Sequence, residues 1–355
     1  MYDITIIGAG PAGSTLARLL SVYFKVLLVE KRDYEKGEIK QEKCCGGLLA
    51  PDAQKILAKL GLGLPKDILS NPQLFSVCAI DFDNKIERNY QRHYINMDRE
   101  KFDSWLISLI PDKAELLFGY SLKEIKKEEN FHTLKLKSGN DTKFINTKIV
   151  VGADGAYSKV RQLSFNNVKK TRKYIAVQEW YKLKTGPAPC FYSIFDSEIS
   201  DFYSWMIQKE NSIILGSALD PKDNVTGKFE LLKERVRDYG IDIDNPYKKN
   251  GTYLLRPQKS NQLYTGKEMV ALIGEAAGWI SPSSAEGLSY SMESALMLSE
   301  SIKKDPDNFM THYQKATRKL KYNIFLKNCK SHLMYNRFTR GLIMKSGVLS
   351  FNTFS

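Results

Sequence analysis

The sequence contains no apolar run that could cross a membrane and few residues of the types that bind metals or form disulfides. None of its hydrophobic stretches reaches the roughly 18 residues that a membrane-spanning helix needs. Its five cysteines are odd in number and irregularly spaced, and only four histidines accompany them. This pattern argues against a disulfide framework and a zinc site, so we expect no bound metal.

The charge balance is basic, with 53 Lys and Arg against 40 Asp and Glu and a net charge of +13. This excess favours an anionic partner, although an ordinary solvated surface remains an open alternative. The basic residues are spread along the chain without an aromatic-interleaved basic module, so we expect no nucleic-acid partner. The first strand begins at Asp3, which leaves no room for a signal peptide. We therefore expect a cytoplasmic protein, with peripheral contact at the inner membrane face left open.

A glycine-rich motif follows the first apolar strand and opens a helix. Gly8, Gly10 and Gly13 have the G-x-G-x-x-G spacing, and Glu30 ends the next apolar strand 22 residues after Gly8. In such a motif the glycines allow a tight turn, a close approach to a pyrophosphate and close helix packing. The helix N-terminus attracts phosphate, and the acid accepts from a ribose hydroxyl. The pattern predicts an adenine dinucleotide site.

Two further glycine turns favour FAD over NAD. Gly152-Ala153-Asp154-Gly155 ends one apolar strand, and Gly274-Glu275-Ala276-Ala277-Gly278 ends another. FAD is the longer dinucleotide, and its extended form passes several strand ends, where acids can accept from its hydroxyls. Alone, residues 152–155 would be an ordinary glycine turn. Because no second G-x-G-x-x-G occurs, we expect NAD(P)H or an electron carrier to bind only transiently as reductant.

Periodicity divides the chain into nucleotide-binding ends and a strand-rich middle. The pattern predicts helices beginning at Pro51 and Asp98, near 226–239 and 284–304, and after 307. Strands are predicted mainly at 74–82, 85–95, 114–126, 131–137, 142–146, 148–151, 174–184, 190–196, 202–208, 212–219 and 269–273. We expect an α/β fold in which a Rossmann-type FAD-binding domain (1–73, 97–172 and 265–306) is interrupted by a mixed β-sheet substrate domain (74–96 and 173–264). Residues 307–355 are expected to form a helical, basic C-terminal segment.

The order of the three glycine motifs resembles the p-hydroxybenzoate hydroxylase-type flavoproteins over roughly residues 1–310. Two features resemble the geranylgeranyl reductase branch of that group, namely Cys45-Gly46-Gly47 and Tyr203-Ser204-Trp205. The runs at 46–54 and 316–320 resemble the bacterial CbrA-type flavoproteins of that branch. Two departures are Glu275, where family members usually have Asp, and Met206-Ile207, where the reductases usually continue with Phe-Pro.

The resemblance implies roles for residues outside the glycine turns. Pro282, Glu286, Gly287 and Leu288 open the helix after the third motif, and this helix is expected to direct its N-terminus at the flavin ring. A serine-rich N-cap without a flavin role is the alternative. Arg99 is expected near the flavin, with a solvated helix-terminal arginine as the alternative. Cys45 is the candidate proton donor or pocket residue, with a small buried filler as the alternative.

Tyr203 and Trp205 lie two apart on a predicted strand, so both rings should face one side of it. They are expected to line a long apolar tunnel or, alternatively, to belong to the sheet core. The predicted catalytic residues are therefore Cys45, Tyr203 and Trp205. The predicted cofactor-binding residues are Gly8, Gly10, Ala12, Gly13, Glu30, Lys31, Cys45, Gly46, Gly47, Arg99, Asp154, Gly155, Gly274, Glu275, Pro282, Gly287 and Leu288.

The resemblance implies an FAD-dependent oxidoreductase that reduces carbon–carbon double bonds of a polyprenyl lipid of the geranylgeranyl type. Two alternatives stay open: an FAD-dependent aromatic monooxygenase, and a flavoprotein that binds a lipid without turnover. Fold alone cannot choose among these activities. The basic, amphipathic stretch at 313–345 suits the diphosphate of such a lipid or an anionic membrane, and a helix docked on its own domain is the alternative.

Overall fold

The computed structural model describes residues 1–34, 44–166, 168–169, 171–183 and 187–352. Its strands are β1 Tyr2–Ile7, β2 Val26–Glu30, β3 Leu48–Leu49, β4 Leu74–Asp81, β5 Ile86–Asn96, β6 Glu115–Phe118, β7 Ser121–Lys127, β8 His132–Ser138, β9 Asp141–Gly152, β10 Arg172–Lys182, β11 Phe191–Phe195, β12 Ser204–Lys209, β13 Ser212–Leu219, β14 Lys248–Arg256, β15 Gly266–Lys267, β16 Val270–Leu272 and β17 Ser350–Phe351. Its α-helices are α1 Pro11–Leu20, α2 Pro51–Lys59, α3 Arg99–Ser108, α4 Lys159–Ser164, α5 Val225–Asp238, α6 Leu288–Lys304, α7 Phe309–Ala316, α8 Arg318–Tyr335 and α9 Arg337–Ser346.

The first compact unit contains the described residues of Met1–Glu42, Glu100–Arg172 and Leu255–Lys327. Its sheet has the strand order β15-β16-β9-β1-β2-β6, and β7 and β8 extend it from β9. The pairs from β16 to β6 are parallel. All five residues of β2 and the last four of β1 are buried, as expected for a parallel sheet covered on both faces. Side chains of α1 and α6 belong to the same apolar core.

The second unit contains the described residues of Lys43–Arg99, Lys173–Leu254 and Asn328–Ser355. Its mixed sheet has the order β14-β10-β13-β12-β11-β4-β5-β17, with β3 paired to β5. The pairing of β4 with β11 is parallel, and the hairpins around it are antiparallel. Apolar side chains of α5 pack with strands β11 to β13 in one buried cluster.

The predicted α/β class, with a Rossmann-type sheet interrupted by a mixed sheet and C-terminal helices after residue 307, is confirmed. The helix predicted at 284–304 begins only at Leu288. The chain before it turns back on itself, because Ser281 N–H donates to the Glu286 carbonyl and Ala285 has a φ of 52°. Strand β14 was not predicted, and the predicted charged loop at 31–43 lies outside the described residues from position 35 onward.

The bounds of the two compact units differ from those of the expected domains at several places. Residues 97–99 fall in the second unit, and residues 255–264 fall in the first. Residues 44–73 belong to the second unit, since β3 pairs with Ile95 and Asn96 of β5. The C-terminal segment is shared, because residues up to Lys327 fall in the first unit and those from Asn328 in the second. The functions expected of these domains remain predictions. Within the part of the chain that the structure describes, no helix is long and apolar enough to cross a membrane.

Candidate functional site

The three glycine motifs of the first unit lie at the carboxyl ends of neighbouring parallel strands. Ile7 of β1 pairs with Gly152 of β9, which in turn pairs with Leu272 of β16. The turns that follow these strands therefore emerge at one edge of the sheet, as does Glu30 at the end of β2. This edge of an open α/β sheet is where ligands bind.

Glycine is required where these turns touch. Gly8 has a φ of +105°, and a Cβ there would lie 2.5 Å from the Ala153 carbonyl oxygen. A Cβ on Gly13 would lie only 1.8 Å from the carbonyl oxygen of Gly8. Gly274 has a φ of +55° and would place a Cβ 3.0 Å from the Cβ of Ala12. The structure thus brings the three motifs into mutual contact.

Glu30 closes the first motif. Its Oε2 accepts the backbone N–H of Ala9 at 2.8 Å, and its Oε1 accepts the backbone N–H of Arg32 at 3.0 Å. Arg32 also contacts Oε1 through Nε at 3.3 Å, and its guanidinium lies 3.8 Å from Asp103. A carboxylate has about four acceptor positions, so the bonds shown leave Glu30 room for a ligand hydroxyl. Lys31 is exposed, and the cation beside Glu30 is Arg32.

The N-terminus of α1 points its amides into the same edge. Its N-cap is Gly10, which has no side chain to accept from them, and Pro11 occupies the first helical position. The N–H groups at such a terminus, with the positive end of the helix dipole, attract phosphate. The cofactor-binding roles of Gly10, Ala12 and Gly13 stay predictions.

One carboxylate oxygen of Asp154 caps the start of α4, and the other is available to accept a hydrogen bond. Its Oδ2 accepts the backbone N–H groups of Lys159 and Val160 at the start of α4. Its Oδ1 is buried and has no hydrogen-bond partner among the described residues. Burial raises the pKa of this carboxyl group, and the bonds from Ser158 and the backbone oppose that shift. Gly155, with a φ of +75°, has open space on its Cβ side.

The third motif is tied to its own unit. Glu275 Oε1 accepts the backbone N–H of Leu255 at 3.1 Å, and the backbone N–H of Gly274 donates to the hydroxyl of Ser294 on α6. The carbonyl of Pro282 accepts from Nε of the buried Arg256 at 3.1 Å. These bonds fix the turn that leads from Gly274 to α6.

The start of α6 carries the carboxylate of Glu286. Gly287 is the N-cap and Leu288 is the first helical residue. Glu286 accepts the backbone N–H of Ser289 at 2.7 Å and its hydroxyl at 2.6 Å. One amide of this terminus is therefore already bonded, which reduces what the expected flavin contact at Gly287 and Leu288 could use.

In the second unit, Cys45 lies beside two hydrogen-bond donors. Arg99 Nη1 lies 3.3 Å and the backbone N–H of Gly47 3.5 Å from Cys45 Sγ. A guanidinium and an amide can both donate to the negative charge that a cysteine sulfur carries once it has given up its proton. Cys44, in contrast, donates to Gln178 at 3.3 Å, and burial raises its pKa to about 12.

Lys209, which sequence reasoning missed, holds the loop that carries Cys45. The Lys209 side chain is buried, and its Nζ donates to the carbonyls of Gly47 and Met97 and to Oδ1 of Asn96. Gly47 is needed here, since its φ is +63° and a Cβ would lie 2.6 Å from that Nζ. Burial lowers the pKa of Lys209 to about 8, while the neighbouring Cys45 opposes the shift.

Lys209 is expected to make stability depend on pH. Because its folded pKa of about 8 lies below the ordinary lysine pKa of 10.5, the unfolded chain binds more protons between these values, and stability rises with pH there. The free energy of unfolding of the wild type should gain ~2 kcal/mol between pH 7 and 9.5 relative to Lys209→Met. Urea unfolding of both proteins across this range measures the difference. A constant difference would show that Lys209 does not titrate there.

Tyr203 lies just before β12 and not on a strand as predicted, and its ring centroid is 5.6 Å from that of Trp205. Whether the two rings line a tunnel stays a prediction. Both side chains are buried, and the indole lies over Gly216 of β13, where a Cβ would come within 2.4 Å of its ring. Burial, with Tyr94 and Cys45 as neighbours, raises the pKa of Tyr203. Cys45, Arg99, Lys209 and Tyr203 thus form one cluster, called here the thiol cluster.

Two of the residues that sequence reasoning missed, Lys209 and Arg32, could have been found from the sequence. Trp205, Ile207 and Lys209 alternate along β12 and so share one face, which puts a lysine on a buried side of the sheet. Arg32 stands two residues after Glu30, within reach of its carboxylate. Arg256 gave no such signal, because β14 itself was not predicted.

Comparison with solved structures identifies the fold. A geranylgeranyl bacteriochlorophyll reductase-like protein from Thermoplasma acidophilum matches with a TM-score of 0.83 and 19% identity, covering 97% of this chain and 90% of that protein. The flavin-dependent halogenase CmlS matches at 0.72 and 17% identity, covering 96% and 67%. PqsL, a probable FAD-dependent monooxygenase from Pseudomonas aeruginosa, matches at 0.73 and 16%, covering 97% and 98%. The chain therefore has the α/β fold of the FAD-type flavoproteins.

Sequence comparison identifies the family. No family model matches the chain. Protein CbrA of Escherichia coli K12 is 40% identical over 347 residues, which are 98% of this chain and 97% of that protein. CbrA of Shigella sonnei matches to the same extent. The chain belongs to the CbrA family.

Proposed function

We propose that the chain binds FAD non-covalently and reduces carbon–carbon double bonds of a polyprenyl lipid of the geranylgeranyl type. The observation that carries this function is the thiol cluster, in which Cys45 lies near the buried ring of Tyr203, which in turn contacts the buried ring of Trp205. It joins a proton source to an apolar surface, which is what the saturation of an unactivated alkene requires. The likeness in fold to the Thermoplasma protein supports this choice of reaction.

The first unit contains residues that are suited to bind FAD. A Cβ at Gly8 or Gly13 would collide with a backbone carbonyl, so glycine lets this turn pack closely against the start of α1. Such a close turn is what presents backbone N–H groups to a pyrophosphate. The buried Oδ1 of Asp154, without a partner among the described residues, could accept from a hydroxyl of the ribityl chain. Glu30 would hold the adenosine ribose. When bound, FAD would supply the hydride.

Glu30→Ala is expected to weaken FAD binding. The change removes a charge-assisted hydrogen bond to the ribose and should cost roughly 1.5–3 kcal/mol of binding free energy, or about 10- to 150-fold in Kd. Asp3→Ala is the matched control, because Asp3 lies at the opposite end of the β1–β2 pair and accepts from the backbone N–H of Lys25. Titration of the apoproteins with FAD gives both affinities. Equal affinity for Glu30→Ala and the wild type would show that the acid has another role.

The thiol cluster would supply the proton that the alkene needs and then stabilise the thiolate that is left. As hydride adds to one alkene carbon, the Cys45 thiol gives its proton to the other carbon, and the lipid gains two hydrogens. Arg99 and the Gly47 amide then donate to the thiolate that remains, and water returns its proton. A transient reductant, NAD(P)H or an electron carrier, restores the reduced cofactor.

Anaerobic stopped-flow spectroscopy tests the proposed reaction. The protein reconstituted with FAD is reduced with dithionite and mixed with a geranylgeranyl lipid in detergent, and flavin absorbance is followed. Reoxidation that depends on lipid concentration is expected. Oxygen uptake coupled to NAD(P)H oxidation and stimulated by an aromatic acid would favour a monooxygenase instead.

A further inference from the structure

The C-terminal end of the chain combines positive charge with exposed apolar side chains. From Asn308 to Ser355 the sequence has nine Lys or Arg residues and no Asp or Glu. Ten of the 21 exposed large apolar residues among those described also lie within residues 322–351. This concentration is unusual, because exposed apolar residues are normally scattered singly.

One face of helix α9 is bonded to the rest of the second unit, and the opposite face is exposed to solvent. On its inner face, the buried Arg340 bonds to Asp81 at 2.8 and 3.1 Å and to Asp83 at 2.6 Å. Phe338, Leu342 and Lys345 lie on the outer face at helical spacing, and the two apolar side chains are 72% and 55% exposed. The ion pairs fix the helix, so the exposure of these side chains is a property of the fold.

The residues that follow α9 also expose large apolar side chains. Gly347 ends the helix in the left-handed conformation, and Leu349 follows with a φ of 64°, which is rare for a bulky residue. Leu349 is 87% and Val348 61% exposed. We define the C-terminal apolar surface as Phe338, Leu342, Ile343, Val348 and Leu349.

We propose that the C-terminal apolar surface docks on an anionic lipid membrane. A short amphipathic element with Lys or Arg beside large apolar side chains inserts those side chains at the headgroup boundary, while its charges attract acidic lipids. Among the described residues from 328 to 352, the exposed cations are Lys330, Arg337 and Lys345. The surface would place the protein on the bilayer whichever lipid it reduces.

Vesicle co-sedimentation tests the docking surface with no isoprenoid lipid present, so its outcome is independent of the proposed reaction. The vesicles are made of phosphatidylethanolamine with roughly a quarter phosphatidylglycerol. The wild type should pellet with them, bind phosphatidylcholine vesicles more weakly, and dissociate as salt is raised. The triple variant Phe338→Ser/Leu342→Ser/Leu349→Ser should lower the partition coefficient at least ~10-fold, and Lys345→Glu should lower it ~5-fold.

Phe144→Ser is the matched control, since Phe144 of β9 is 66% exposed and lies in the other unit. It should bind vesicles like the wild type. Because all three replaced side chains are exposed, the triple variant should keep the thermal transition of the wild type. Equal vesicle binding by the triple variant would overturn the docking surface. A second result would also overturn the docking surface. If the wild type bound no vesicles but formed a dimer in sedimentation velocity, and the triple variant did not, the surface would join two copies of the chain.

Discussion

Cys45→Ser is expected to slow double-bond reduction by about 100- to 10,000-fold, the range that general acid catalysis contributes. A serine hydroxyl keeps the size of the side chain but is a far weaker acid than a thiol. Its alkoxide would also gain too little from Arg99 and the Gly47 amide to form readily. Because serine keeps the size of the side chain, FAD affinity should be unchanged. Single-turnover reoxidation of the reduced variant by lipid measures the rate.

The neighbouring cysteine provides the control. Cys44→Ser replaces a half-buried thiol that donates to Gln178, a bond that a hydroxyl can also make. Its single-turnover rate should stay within a few-fold of the wild type. If Cys45→Ser reduces lipid as fast as Cys44→Ser, the proton comes from another group and the role of the thiol cluster is structural.

Gly13→Ala is expected to lower the free energy of unfolding by ~3 kcal/mol or more and to abolish FAD binding. The added Cβ would meet the carbonyl oxygen of Gly8 at 1.8 Å, and a backbone atom cannot rotate away as a side chain can. Gly63→Ala is the control, because a Cβ there meets nothing within 4 Å. Urea unfolding and FAD titration of both variants measure the two effects. A Gly13→Ala protein as stable as Gly63→Ala would contradict the close packing of the first turn.

Much of the first unit could be predicted because each of its signals is local. An apolar strand, a glycine turn and an acid at the next strand end are read from consecutive residues, and parallel pairing then brings the strand ends to one edge. Strand β14 was missed for a physical reason. Its sequence, Lys-Lys-Asn-Gly-Thr-Tyr-Leu-Leu-Arg, is polar until its last residues, so it has the period of neither strand nor helix.

The candidate site was predicted less completely, because its polar contacts join residues distant in sequence. The cluster around Cys45 draws on Arg99 and Lys209, which lie 54 residues and more from it. No periodicity can show that Lys209 reaches the Gly47 carbonyl. Likewise, Lys31 and Arg32 follow Glu30 equally closely, and only the folded turn shows that Arg32 bonds to it while Lys31 is exposed.

The mass of the lipid after one anaerobic turnover tests the central claim most directly. Reduced, FAD-loaded protein is incubated with a geranylgeranyl lipid in the absence of oxygen, and the extracted lipid is analysed by mass spectrometry. The account predicts a gain of two hydrogens for each reduced double bond, in proportion to the flavin reoxidised. Unchanged lipid, with the flavin still reduced, would contradict it.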